Sequence, residues 1–177
     1  MKFYRCLICG EVYFGREAPS HCPACGAPDA YIVPLAEWVD EDEALGELSE
    51  KSRANLVRAL QLEANNAPFY RDASRKAKDP QLQAIFKYLT KVEAAHAWTI
   101  SKILGTQAPP PEPGKEVAGD DERTNIVAAH AREVAATSFY QRATSEATEP
   151  RVQRVFAALS DVETDHHRLE AELLKDL

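Results

Sequence analysis

The sequence predicts a mainly α chain: a four-helix bundle of two hairpins joined by one long crossover, preceded by a small four-cysteine module. Three observations predict it. All four cysteines, Cys6, Cys9, Cys22 and Cys25, fall within the first 25 residues. From about Ser49 onward, apolar residues such as Ala54, Val57, Leu60, Ala64 and Ala67 recur at spacings of three and four, the mark of a buried helix face. The second half of that helical region then repeats the first at an offset of 70 residues, without a gap.

Residues 1–36 form the first unit. Glycines and short aromatic pieces such as Val12-Tyr13-Phe14 suit short strands and turns there. Cys6-Leu7-Ile8-Cys9-Gly10 and Cys22-Pro23-Ala24-Cys25-Gly26 are two C-x-x-C-G knuckles with twelve residues between them. Two such bends facing each other make a tetrahedral tetrathiolate site, and glycine after each second cysteine permits the tight turn. Zinc and iron share that geometry, and two disulfides are a lesser alternative in a reducing compartment. An acidic linker, residues 37–48 with Asp40-Glu41-Asp42-Glu43, leads into the bundle, residues 49–177.

Sliding the chain along itself by 70 residues pairs Asn55 with Asn125, Glu63 with Glu133, and Phe69-Tyr70 with Phe139-Tyr140. It also pairs Pro80 with Pro150, Phe86 with Phe156, Val92-Glu93 with Val162-Glu163, and His96 with His166. Shared Ala and Leu would be expected by chance. Shared Pro, Phe, Tyr, Glu and His in one register would not. Each repeat reads as a helical hairpin: helices over roughly 50–77 and 80–104, then roughly 121–147 and from 150 onward. Pro80 and Pro150 stand at first helical positions, where the missing N–H had no partner. Gly105 to Gly114, with four prolines, cannot be helix. At ~3.1 Å per residue a proline-rich strand returns along a ~39 Å helix in about 13 residues. The linker therefore crosses the bundle end to end, the ferritin-like connection.

Glu93-x-x-His96 and Glu163-x-x-His166 each put two donors on one helix face, and Glu63 and Glu133 supply one carboxylate from each remaining helix. One Glu from each of two helices plus Glu-x-x-His from the other two is the di-iron carboxylate pattern of ferritin-like bundles. Four carboxylates neutralise two divalent metals, and the mixed O/N shell suits iron or manganese. The bland reading of any one of these glutamates is a solvated surface charge. Six residues obeying a single repeat make that reading poor. Tyr70 and Tyr140 lie two turns after Glu63 and Glu133 and suit either a hydrogen bond to a ligand or plain core. His130, one turn before Glu133, reads as an extra donor or an ordinary half-exposed histidine; His167 reads as surface. Pro68, inside the first helix where Ser138 stands in the third, is expected to kink or bulge it.

A formal net charge of -7 and pI near 5.3 argue against nucleic acid or an anionic membrane as partner. No stretch approaches the ~20 apolar residues of a membrane span. The N-terminus lacks the apolar core of a secretory signal, so the expected location is cytoplasmic.

Tyr4-Arg5-Cys6-x-x-Cys9-Gly10 with Cys22-Pro23-x-Cys25-Gly26-Ala27-Pro28 resembles the rubredoxin-like module of rubrerythrins, and the remainder resembles their ferritin-like di-iron domain. The module comes first here, as in the reverse-order members. The resemblance implies a peroxidase that reduces hydrogen peroxide to water at a di-iron centre, fed by a tetrathiolate iron. It implies an upstream donor such as a rubredoxin or an NAD(P)H-dependent reductase. It also implies a homodimer or larger, in which the tetrathiolate iron of one subunit can face the di-iron site of another. A ferroxidase or O2-reducing di-iron protein, and a zinc ribbon on a metal-storing bundle, are the rival readings. The chain departs from the family at Ala136, where typical members carry a further glutamate one turn after the position of Glu133. A more symmetric six-ligand site is expected as a result.

Overall fold

The structure is a computed structural model that describes residues 1–42 and 45–175. Three short antiparallel strands, β1 (Lys2–Cys6), β2 (Val12–Gly15) and β3 (Ile32–Pro34), form a sheet in the order β2-β1-β3. The two knuckles close around it. Gly10 and Gly26 adopt φ of +79° and +73°, the left-handed turn that a side chain resists. Four helices follow: α1 (Glu50–Lys76), α2 (Pro80–Leu104), α3 (Glu122–Glu146) and α4 (Pro150–Leu173). Helix α1 packs chiefly on α2, and α3 on α4, as two hairpins.

The helix ends show why the chain turns where it does. Ser49 caps α1 by accepting the Ser52 N–H at 3.2 Å, Asp79 caps α2 through the Gln81 N–H at 2.7 Å, and Asp121 caps α3 through the Thr124 N–H at 2.8 Å. Two carboxylates tie the hairpins together at opposite ends. Glu149 accepts the Ser49 N–H at 2.6 Å, and Glu122 accepts the N–H groups of Lys78 and Asp79 at 2.6 and 2.8 Å. Between α2 and α3 the proline-rich segment runs along the second half of α1, from Gln61 to Lys76. Asn65 accepts the Glu112 N–H at 2.8 Å, and further along Asp72 accepts the Ala118 N–H at 3.0 Å. Helix α1 continues unbroken through Pro68, so the expected distortion does not interrupt it.

The apolar core falls into two parts. One gathers Leu56, Ile100, Phe139, Tyr140, Phe156 and Leu159; the other gathers Phe69, Tyr70, Phe86, Leu89 and Ile126. On each helix the glutamates and histidines of the repeat lie in sequence between those two parts. The polar site thus sits mid-bundle, sealed above and below by hydrocarbon. No helix among the described residues is long and apolar enough to cross a membrane.

Candidate metal centres and the contact between them

The four cysteine thiols are buried and free, with their sulfurs all within 4.8 Å of one another. Cys6 Sγ lies 3.8 Å from Cys25 Sγ, and Cys9 Sγ lies 3.7 Å from Cys22 Sγ. Those separations exclude disulfides, whose sulfurs stand ~2.05 Å apart. Contacts among the four push the thiols apart: Cys22 and Cys6 are held below the ordinary range while Cys9 and Cys25 are pushed above it, so metal loading has to expel protons here.

In the bundle, Glu63, Glu93, Glu133 and Glu163 are completely buried, and His96 and His166 nearly so. Two nests of donors form. Glu63, Glu93, His96 and Glu163 make one; Glu93, Glu133, Glu163 and His166 make the other, each with ligand atoms within 4.8 Å of one another. Glu93 and Glu163 belong to both, which places them to bridge two metals. Glu63 and Glu133 are terminal. His96 Nδ1 lies 3.3 Å from Glu163 and 3.7 Å from Glu93; His166 Nδ1 lies 2.9 Å from Glu163 and 3.4 Å from Glu93.

The donor set fits metal because its polar atoms lack other partners. Both oxygens of Glu93 and of Glu163, one oxygen each of Glu63 and Glu133, and Nδ1 of both histidines are buried without a hydrogen bond. Buried polar groups left so are costly, and a pair of cations satisfies all of them at once. Both centres fit iron binding. Burial, then the neighbouring Glu93 and Glu163 respectively, pushes the carboxyls of Glu63 and Glu133 well up. Burial acts on Glu93 and Glu163 too, but at Glu93 the neighbouring Glu63 and then the two imidazoles outweigh it, and at Glu163 the imidazoles outweigh both burial and Glu93, so both carboxyls are held down. Burial opposes charge on His166, yet Glu163 and Glu93 raise it to about 10. Metal loading therefore has to expel protons from the outer carboxyls and from the imidazoles.

The two tyrosines reach across the repeat. Tyr140 on α3 donates to Glu63 on α1, and Tyr70 on α1 donates to Glu133 on α3. Burial and the surrounding carboxylates push both phenols well above their ordinary range, which keeps them as donors. The Tyr70 hydroxyl also lies 2.9 Å from Glu170, a buried carboxyl that sequence reasoning passed over. A signal was available: Glu170 lies one turn beyond His166 on the same face, and its repeat mate is the fully buried Ile100. His130 joins neither nest; its Nδ1 meets the His167 carbonyl at 3.0 Å and its ring meets that of His167 edge-on.

A cavity of about 910 Å³ opens beside Glu63, floored by Ala64, Ala67, Pro68, Ala94 and Ala97. Their repeat mates are Val134, Thr137, Ser138, Thr164 and His167, which are mostly bulkier, so the small-residue face belongs to the first hairpin.

The two centres touch through one hydrogen bond. His96 turns Nδ1 to the carboxylates and Nε2 to the Cys25 carbonyl, 2.9 Å away. The second knuckle thus rests on a candidate ligand of the bundle site.

Comparison with known proteins agrees with this arrangement. Residues 54–174 match the rubrerythrin family model, and residues 4–32 match that of the rubrerythrin rubredoxin-like domain. Reverse rubrerythrin-1 of Clostridium acetobutylicum is 30% identical over 136 residues, which span 71% of this chain and 69% of that protein. Rubrerythrin-1 of the same organism is 46% identical over 37 residues, 21% of this chain and 19% of that protein. Among solved structures, a hypothetical protein from Pyrococcus furiosus shares the fold with a TM-score of 0.62 at 21% identity, over 76% of this chain and 93% of that one.

Proposed function

The chain belongs to the rubrerythrin family, and from that premise we propose that it is a non-haem di-iron peroxidase that reduces hydrogen peroxide to water. The observation that carries the reading is the Cys25–His96 hydrogen bond, which joins a four-cysteine electron-input module directly to the carboxylate site. A storage bundle or a ferroxidase has no use for that connection. With iron bound, the bundle site supplies electrons and Lewis acidity for O–O cleavage, and the tetrathiolate supplies replacement electrons singly.

The protein's own groups supply the rest. Glu93 and Glu163, common to both nests, would serve both metals; Glu63 with His96, and Glu133 with His166, would complete one position each. Reduction of H2O2 to two waters consumes two electrons and two protons. Burial pushes the Glu170 carboxyl up to about 8, which favours its protonated form near neutral pH. The Tyr70 hydroxyl bridges Glu170 and Glu133, a path by which that proton reaches the site. The cavity at Glu63 gives a small oxidant a way in beside α1 and α2. The electrons come from a rubredoxin-like or NAD(P)H-dependent reductase, and the four free thiols suit a reducing cytoplasm.

Stopped-flow mixing of the reduced iron-loaded protein with peroxide, and separately with O2, tests the reading. The account expects the visible band of the ferric tetrathiolate to return much faster with peroxide. Equal or faster return with O2 would refute the peroxidase assignment in favour of an oxidase.

A further inference from the structure

We propose that the four-cysteine module serves the bundle of its own chain, and that Arg151 is the positioning residue that seats it there. The inference rests on the peroxidase reading for its purpose and on independent contacts for its geometry. Arg151, at the start of α4, is buried although it is an arginine. Its Nη1 and Nη2 donate to the carbonyls of Leu7 and Ile8 at 2.7 and 2.8 Å, and its Nε donates to Asp42 at 2.6 Å. Leu7 and Ile8 are the two residues between the first pair of cysteines, and the Ile8 N–H points to Cys6 Sγ at 3.4 Å. The guanidinium thus grips the first knuckle by its backbone. Its repeat mate, Gln81, is exposed at the corresponding start of α2, so the bundle alone does not call for an arginine here.

The acidic connector completes the clasp. Asp42 also meets Lys102 at 3.0 Å, Asp40 meets Lys102 at 3.2 Å, and Glu41 pairs with Arg154. Trp38 donates to the Cys6 carbonyl at 3.2 Å, with Arg5 stacked on its ring. What reads in sequence as an acidic linker is a strap fastened to α2 and α4. The second knuckle fits equally closely: a Cβ on Gly26 would stand 2.9 Å from Val162 and 3.7 Å from Val92, themselves repeat mates. With both knuckles held, Cys25 meets His96 within one chain, and that position is closed to a partner's module. With iron in both sites electron delivery would then be intrachain, the Cys25–His96 hydrogen bond linking donor and acceptor of one chain and the external reductase supplying two electrons for each peroxide.

Zero-length carbodiimide coupling on oligomers refolded from an equal mixture of ordinary and nitrogen-15-labelled protein tests this. Asp42 and Lys102 should couple only within one isotope label. Mixed-label pairs as frequent as same-label pairs would overturn the proposal, because the clasp would then join different chains. Arg151→Met and, on the connector side, Asp42→Asn test the positioning role. The tetrathiolate spectrum should persist, Asp40–Lys102 coupling should fall, and the return of the ferric tetrathiolate band after the reduced protein is mixed with peroxide should slow by about tenfold or more. Arg151→Lys, unable to span two carbonyls and a carboxylate, should recover only part of the rate. Unchanged rate and coupling in both variants would overturn the role of Arg151. If peroxide fails to restore the ferric band of the reduced, unaltered protein, the peroxidase reading falls, while the isotope result still decides which chain the module serves.

Discussion

Glu170 makes a quantitative demand on stability that one isosteric change removes. Its carboxyl is buried and raised to about 8 from an ordinary value of 4.5, with burial as the main cause. In the unfolded chain at neutral pH it is ionised, so folding must recover a proton. Between about 4.5 and about 8 the native state binds more protons than the unfolded state, and stability falls by about 1.4 kcal/mol per pH unit. That amounts to about 0.7 kcal/mol at pH 5 and about 4 kcal/mol at pH 7.5. Glu170→Gln keeps the shape and an acceptor for the Tyr70 hydroxyl but abolishes the titration. In protein stripped of its bundle metals, the variant should therefore be more stable, by a margin growing about 3 kcal/mol between those two pH values. Urea denaturation of both proteins at pH 5 and 7.5 measures the margin. A margin that is the same at both pH values would show that Glu170 is not held protonated, and would remove it as a proton source.

Other expectations follow from single contacts. Tyr140→Phe strips Glu63 of its hydrogen-bond donor inside the core and should lower the stability of the metal-free protein by about 1–3 kcal/mol in a denaturant melt. Gly26→Ala combines a left-handed backbone, φ +73°, with a Cβ 2.9 Å from Val162, and should cost about 1–3 kcal/mol, read as a lower melting temperature of the zinc-loaded protein. Burial alone pushes Glu149 up, but hydrogen bonds from the Ser49 N–H and the Ser52 hydroxyl hold it at about 2. Its depressed value gives stability that is fully present above its ordinary 4.5 and lost as pH falls toward about 2. Wild type should therefore outlast Glu149→Gln at pH 6 and lose that advantage in acid, by circular dichroism.

Much of this was legible in the sequence because a repeat constrains pairs of positions. Glu63, Glu93 and His96 stand on one hairpin and recur as Glu133, Glu163 and His166 on the other; only a shared centre requires all six. The cysteine knuckles were equally plain, since C-x-x-C-G has few other uses. What the sequence hid were residues that break the repeat. Glu170 looked like one charge among many near the end of a charged helix, yet its repeat mate is a core isoleucine. Arg151 stands where the first hairpin has Gln81, and nothing in its spacing announces that it binds a segment about 140 residues away. The acidic stretch at 40–42 reads as a linker because its cations, Lys102, Arg151 and Arg154, lie on helices far along the chain; Glu43 lies outside the described residues. Spacing reveals partners on one helix face, and long-range ion pairs have no spacing.

The central claim is that two metals share Glu93 and Glu163 while Glu63 and Glu133 each serve one. Metal content per chain, measured in Glu163→Ala and Glu63→Ala after loading with ferrous iron under anaerobic conditions, tests it most directly. Glu163→Ala should empty both bundle positions, while Glu63→Ala should weaken the one beside His96 and spare the one beside His166, with the tetrathiolate iron retained in both. Equal losses in the two variants, or a bundle that keeps its full metal complement without Glu163, would contradict it.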